Sequence, residues 1–376
     1  MRAVLGAVAA VCVLAVVAIG CSDSGTDTTQ TNAPAAAPES FFGVVPQTLI
    51  NDDDLDRMAQ GKVGTIRFVI PWSALDATPK QDDLDFSSID PLVLGAAQRG
   101  IHVLPMIYGT PAWVAKGIDH DECDTDCVVF APRSPEALAA WKDFIGVLVD
   151  RYGPDGELWK LHPDVDQVPI RTWQIWNEQN SPTFYRPTVD PAGYATMLEA
   201  ASEAITDRDP QAEVVLGGMF GTPLKGKPPA IKAWTFLREL YGIDGARDSF
   251  DGVAVHPYAA HVGKIESQVS RMHDEIANAD DDASMWITEV GASSETGGNP
   301  LNRGPEGQAD QLREAFDFFL AKRQEWNIQA VTWYSWRDTP AEASVCDWCA
   351  GSGLFPADSL DPKPAWEAFV SFTGGS

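Results

Sequence analysis

Past residue 40 the chain is built on one alternation. Short apolar runs recur, each followed by a longer amphipathic stretch. The runs are Phe42–Val45, Thr65–Pro71, His102–Tyr108, Thr172–Trp176, Glu213–Gly217, Gly252–His256, Ser284–Thr288 and Ala330–Tyr334. Their starts lie mostly about 30 to 46 residues apart, which is the length of one strand, one helix and their loops. The interval between the third and fourth runs is much longer. Near-continuous apolar strands predict a parallel sheet buried on both faces.

The segments between the runs fit helices over Ser134–Tyr152, Pro191–Arg208, Ala230–Tyr241, Lys264–Ala279, Pro305–Trp326 and Ala365–Phe372. The first opens Ser134-Pro135-Glu136, a capping residue followed by proline in the first turn. Leu312, Ala315, Phe316, Phe319 and Leu320 fall on one helical face. Eight strand–helix units in about 330 residues predict an α/β fold, the (β/α)8 TIM barrel. A doubly wound open sheet is the competitor. It usually carries a glycine-rich phosphate loop after its first strand, where this chain has Pro46-Gln47-Thr48-Leu49. The long interval holds two insertions, Thr110–Arg133 and Gly153–Pro169. The first falls after a strand, on the side where barrel loops build a cleft.

Residues 1–20 are an apolar run behind a single Arg2, as in a secretory signal peptide. The run ends Val17-Ala18-Ile19-Gly20-Cys21, which looks like a lipobox. Cys21 is therefore expected to carry a lipid anchor that holds the protein to the membrane, outside the cytoplasm. Ordinary cleavage nearby, giving a secreted protein, and an uncleaved anchor are the alternatives. Residues 21–40 are polar, rich in Thr, Ala and Pro, and have no apolar period, so they are expected to form a disordered tether. Residues 41–376 are the expected catalytic domain.

Four cysteines remain, paired by proximity as Cys123/Cys127 and Cys346/Cys349. In an exported chain each pair is expected to be a disulfide. A metal site or a redox pair is the alternative for such spacings. Zinc modules, however, combine such pairs with further Cys or His ligands, and no thioredoxin-like context surrounds Cys346. The formal net charge of −27 argues against a nucleic-acid partner, which needs a basic face.

In a (β/α)8 barrel, chemistry gathers where the strands end. Reading those ends gives Arg67 and Trp72, Tyr108 with Trp113 beyond it, Asn177 and Glu178, His256 and Tyr258, Glu289, and then Trp333, Trp336, Arg337 and Asp338. A carboxylate at the tip of an apolar strand is costly unless it is used or paired. Glu178 ends TWQIWNE and Glu289 ends SMWITE. Two such groups about 5–5.5 Å apart can cleave a glycosidic bond with retention of configuration. One would be held ionised by a nearby Arg and Tyr, the other kept protonated. Trp113 and Trp336 lie near strand ends and could stack on sugar rings. The other indoles within strands and helices fit the core.

These residues resemble those of the clan A glycoside hydrolases, the retaining (β/α)8 group that contains families 5 and 39. The clan carries Asn-Glu at the end of strand four, matched by Asn177-Glu178. The resemblance implies that Glu178 is the acid/base and Glu289 the nucleophile. It further implies that Arg67, His256, Tyr258 and a strand-eight Trp, Trp333 or Trp336, surround them. Many relatives have Asn-Glu-Pro where this chain has Asn177-Glu178-Gln179. The activity implied is hydrolysis of a carbohydrate substrate without a metal or other cofactor. A non-catalytic carbohydrate-binding lipoprotein on the same barrel is the alternative, and a metal-dependent hydrolase lacks the expected His/Asp cluster.

Overall fold

The computed structural model describes residues 37–78, 84–115, 127–222, 229–344 and 346–376. The first half runs β1 (Phe42–Val45), α1 (Asp52–Gln60), β2 (Thr65–Pro71), α2 (Trp72–Leu75), α3 (Asp90–Ala97), β3 (His102–Tyr108), α4 (Pro135–Tyr152), α5 (Glu157–Leu161) and β4 (Thr172–Asn177). The second half runs α6 (Pro191–Thr206), β5 (Glu213–Phe220), α7 (Ala233–Tyr241), β6 (Gly252–His256), α8 (Val262–Asn278), β7 (Ser284–Val290), α9 (Gly304–Lys322), β8 (Ile328–Tyr334) and α10 (Pro364–Thr373). The eight strands pair in parallel, in sequence order, and close into a barrel. Closure runs from Phe42 opposite Val331 to Val45 opposite Tyr334.

The strand–helix alternation translates directly into packing. Outward strand residues and inward helix faces share one core that includes Ile66, Trp173, Ile287, Trp333, Leu312 and Phe316. Ser134 caps α4 by accepting from the amide of Ala137. At the seam, Phe42 stacks on Phe316 with ring centroids 4.8 Å apart, so β1 and α9 are joined by aromatic contact.

Four helices escaped the periodicity reading: the one-turn α2 and α5, and the longer α1 and α3. α1 is DDDLDRMAQ, with only Leu55 and Met58 as buried apolar residues, and its signal lies in its cap. Asn51 and Asp54 form a reciprocal capping box. Asp54 is also buried, accepting from Trp336 Nε1 at 2.8 Å and from Arg337 Nε at 2.7 Å. α3 is short, burying Val93, Ala96 and Ala97.

Inside the barrel, Leu104, Val215, Ala254, Trp286 and Ala330 form an apolar floor. Polar side chains lie above it. Cys346 and Cys349 form a disulfide. Cys127 is also disulfide-bonded, while its expected partner Cys123 lies outside the described residues, as do the signal segment, Cys21 and most of the tether.

Candidate active site

Arg67 organises the interior. It projects from β2 and is 2% exposed. Its NH1 donates to Glu289 Oε1 at 2.6 Å, its Nε to Gln174 Oε1 at 2.6 Å, and its NH2 to Asn177 Oδ1 at 3.0 Å. One guanidinium thus joins β2 to β4 and β7. Strands β2 and β7 are not neighbours, so the ion pair spans the barrel. A buried guanidinium is tolerable only when its donors are used.

Glu289 lies near the end of β7, where the pairing with β8 shifts register between Ile287 and Val290. An irregularity of this kind re-aims side chains, and both Thr288 and Glu289 reach inward. Thr288 Oγ1 meets His256 Nε2 at 3.1 Å, while Glu289 Oε2 accepts from Tyr258 OH at 2.7 Å. Burial alone would raise the Glu289 carboxyl. His256, Arg67 and the Tyr258 hydroxyl together outweigh it and bring the group below the ordinary glutamate range.

Glu178 is presented differently. It follows β4 with φ of 43°, and Trp176 two residues earlier has φ of 75°. Left-handed backbone at non-glycine residues costs on the order of 1–3 kcal/mol each and concentrates at functional sites. Neighbouring backbone holds the conformation: Glu178 N donates to Gly218 O, and Ser181 N to Glu178 O. The side chain meets His256 Nδ1 at 2.9 Å. Burial pushes this carboxyl above the ordinary glutamate range, with His256 opposing and Glu289 reinforcing the shift.

His256 therefore stands between the two carboxyls, with Nδ1 also 3.5 Å from Glu289 Oε2. Gly218 on β5 makes room for it: a Cβ there would lie 2.0 Å from His256 Nε2 and 2.5 Å from Thr288 Oγ1. Gln174 completes the support, donating to Leu216 O and Thr288 Oγ1.

The structure brings Arg67, Asn177, Glu178, His256, Tyr258 and Glu289 together. It does not bring the strand-eight tryptophans with them. Trp333 is fully buried on the helix side, donating to Ser352 O. Trp336 is fully buried between Phe355 and Trp366 and donates to Asp54. Neither has a free face for a sugar, which corrects their assignment as substrate platforms. Trp113 is half-buried, donates to Asp76 O at 2.8 Å, and lines a small cavity with Leu84 and Phe144, away from the carboxyls. Trp72 packs on Trp141, while Arg337 and Asp338 pair with Asp54 and Lys363.

Tyr334 and Trp348 are the aromatic residues at the mouth that sequence reasoning missed. Tyr334 lies 6.1 Å, ring to ring, from Tyr258, and Trp348 lies 4.9 Å from it. Strand alternation was the available signal for Tyr334, since adjacent residues of β8 face opposite sides. Val69 on β2 is in phase with inward-facing Arg67 and is 40% exposed, as expected of a residue at the open mouth.

Glu178, His256 and Glu289 each offer one ligand atom, all within 4.8 Å of one another, so a cation could be held there. The donor set argues otherwise. Glu289 is already neutralised by Arg67, whose positive charge would oppose a metal ion.

No protein-family model matches the chain, and no curated protein sequence is similar to it. Solved structures do share its fold. A family 39 glycoside hydrolase from the gut symbiont Bacteroides cellulosilyticus WH2 superposes with TM-score 0.63 at 18% identity, over 90% of this chain. The match spans 64% of that protein's length. The family 39 enzyme of Xanthomonas axonopodis pv. citri gives TM-score 0.65 at 16% identity, covering 91% of this chain and 68% of that one. TsXylA, an intracellular xylanase of Thermoanaerobacterium saccharolyticum, gives 0.58 at 17%, covering 90% and 99%. At these identities the likeness establishes the barrel.

Proposed function

We propose that the protein is a retaining glycoside hydrolase that cleaves O-glycosidic bonds of an oligo- or polysaccharide by double displacement. The observation that carries this reading is the carboxyl pair. Two buried glutamates have oxygens within 4.8 Å of each other, and their surroundings push them in opposite directions. Inversion needs carboxyl groups about 6.5–9.5 Å apart to seat a water, whereas retention needs about 5–5.5 Å.

In this reading Glu289 attacks the anomeric carbon while the bond to the leaving oxygen breaks. Glu178 gives its proton to that oxygen. Water then attacks the same carbon and gives a proton to Glu178, and the bond to Glu289 breaks. Arg67 and Tyr258 keep Glu289 anionic. His256, with Nδ1 on Glu178 and Nε2 on Thr288, stands between the two carboxyls. Activity should therefore fall on the acid side below the ordinary glutamate range and on the alkaline side above it.

Aryl xylosides are the first substrates to try, since family 39 β-xylosidase and xylanase structures share the fold. Glucosides, mannosides, galactosides and arabinosides complete the panel. A 2-deoxy-2-fluoro glycoside of the sugar that turns over should leave one stable label, mapped by mass spectrometry to Glu289. A label on another carboxylate overturns the assignment.

We also propose that the barrel works outside the cytoplasm, anchored through a lipid on Cys21. The lipobox-like run and the polar tether support this. Mass spectrometry of membrane-extracted protein should find a diacylated N-terminal Cys21. A free soluble protein lacking that modification overturns it.

A further inference from the structure

Trp348 sits in the four-residue loop that the Cys346–Cys349 disulfide closes. The loop is tied down on both flanks. Cys346 O accepts from Ser344 Oγ at 2.9 Å and from Cys349 N at 3.2 Å. Cys349 O accepts from Ser352 Oγ at 2.7 Å, which in turn meets Ser335 Oγ, just past β8, at 2.9 Å. The indole is 9% exposed and faces the barrel mouth.

There it closes an aromatic clamp. The Trp348 ring lies 4.9 Å from Tyr258 at 60° and 5.7 Å from Tyr334 at 57°. Phe220 holds Tyr258 from another side at 5.8 Å. Val45 and Leu301 fill the space around Trp348 and Tyr334. These residues form a cluster separate from the main core, at the β1–β8 seam. Tyr258 packs against it, and the Tyr258 hydroxyl donates to Glu289 Oε2.

We propose that Trp348 is a positioning residue: the disulfide-held indole sets the Tyr258 ring so that its hydroxyl stays on Glu289. The proposal rests on the reading of Glu289 as nucleophile. It predicts that trimming Trp348 acts through Tyr258 and reaches the chemistry of Glu289 without touching it. Arg67, His256, Tyr258 and Glu178 are the charged and titratable groups that act on Glu289, with the Tyr334 phenol beside Tyr258. Of these, the Trp348 ring packs on the two tyrosines.

The test uses Trp348→Ala, Trp348→Phe, Tyr258→Phe and the paired Cys346→Ser/Cys349→Ser variant of the full domain. Trp348→Ala should lower kcat/KM about 3- to 10-fold, the range of one lost aromatic pair, and move the acid limb of the pH profile upward. Trp348→Phe should restore most of the loss. The paired serine variant, which keeps the indole, should shift the limb in the same direction by less. In a Tyr258→Phe background, Trp348→Ala should cost nothing further. A readout free of turnover is the 13C NMR titration of labelled glutamate carboxyls, with Glu289 assigned by Glu289→Gln. Its midpoint should rise in Trp348→Ala. An unmoved midpoint, or an equal cost of Trp348→Ala with and without the Tyr258 hydroxyl, overturns the proposal. If the midpoint moves while the wild type cleaves no glycoside, the positioning role stands and the hydrolase reading falls.

Discussion

Strands β4 and β7 each deliver one glutamate to the barrel mouth, and the two rims handle it in opposite ways. At the β7 rim the carboxylate is met by Arg67 on one oxygen and by Tyr258 on the other. At the β4 rim the carboxyl has His256 as its partner and sits on left-handed backbone. Burial is nearly equal, at 8% exposure for Glu178 and 9% for Glu289. Desolvation therefore cannot distinguish them, and the partners do. His256 acts on both carboxyls; with Arg67 and the Tyr258 hydroxyl added it overcomes burial at Glu289, whereas burial stays dominant at Glu178, where the charge of Glu289 reinforces it. Identical residues are thus pushed in opposite directions by their neighbours alone.

The largest break in this comparison is removal of each carboxyl in turn. Glu289→Ala should cost on the order of 10⁵ or more in kcat, as when a nucleophile is deleted elsewhere. Glu178→Ala should cost roughly 10²- to 10⁴-fold, most for glycosides with poor leaving groups, while activated glycosides stall at the second step for want of a base. Azide should rescue turnover of activated aryl glycosides by Glu178→Ala through a glycosyl azide of retained configuration. Steady-state rates across leaving-group pKa check both outcomes. An equal loss at every leaving group, without rescue, removes Glu178 from the acid role.

Arg67 is what makes the β7 rim different, so its removal should bring the two rims together. Arg67→Met leaves Glu289 buried without its cation and also strands Gln174 and Asn177. Breaking a buried ion pair on one side costs about 3–5 kcal/mol. Urea unfolding at neutral pH should show a loss of that size, and the acid limb of activity should move upward. A loss below about 1 kcal/mol would mean that the pair carries little of the electrostatics assigned to it.

His256 is the element common to both rims, and Gly218 is the space it needs. Gly218→Ala puts a methyl group onto the imidazole. Overpacking of this kind costs about 1–3 kcal/mol. Because the displaced ring touches Glu178, kcat should fall with little change in KM. An unaltered pH profile would show that His256 does not tune the carboxyls.

The barrel was legible because its signal is repeated eight times: strand length and apolar continuity recur at every unit, and the spacing at most of them. The helices that escaped are short: α2 and α5 span about one turn, α3 is apolar all round (DPLVLGAA) and so shows no amphipathic face, and α1 carries few apolar residues and is marked only by its Asn51 cap. Within the site, the residues fixed by strand ends were legible, including Arg67, Asn177, Glu178, His256, Tyr258 and Glu289. The strand-eight aromatics were not. Trp333 and Tyr334 are adjacent, so they face opposite sides of β8, and nothing in the sequence says which of them faces inward. Only the sheet pairing shows that the indole is the one facing the helices. Trp348 was hidden more deeply, because its place depends on a loop folded back over the mouth and closed by a disulfide. Gly218 was invisible, since an absent side chain is informative only beside the imidazole that fills its space.

The smallest effect is also the sharpest test of the comparison, because it predicts opposite signs. A carboxyl whose folded pKa lies above its unfolded value binds more protons folded than unfolded, so stability is lost as pH rises between the two values. Glu178 is that case. Glu289, lowered on folding, contributes stability that is present above its unfolded pKa and lost as pH falls through its folded one. Glutamine imitates the protonated acid in shape and charge. Relative to wild type, Glu178→Gln should therefore gain stability as pH rises from the ordinary glutamate range toward neutrality. Glu289→Gln should lose stability as pH rises from about 3 to 5, because Arg67 is left without an anion. Differential scanning calorimetry over pH 3–8 reads both as shifts of a few degrees in Tm. Curves sloping in the same direction would mean that the two rims treat their glutamates alike, and the division into nucleophile and acid would lose its physical basis.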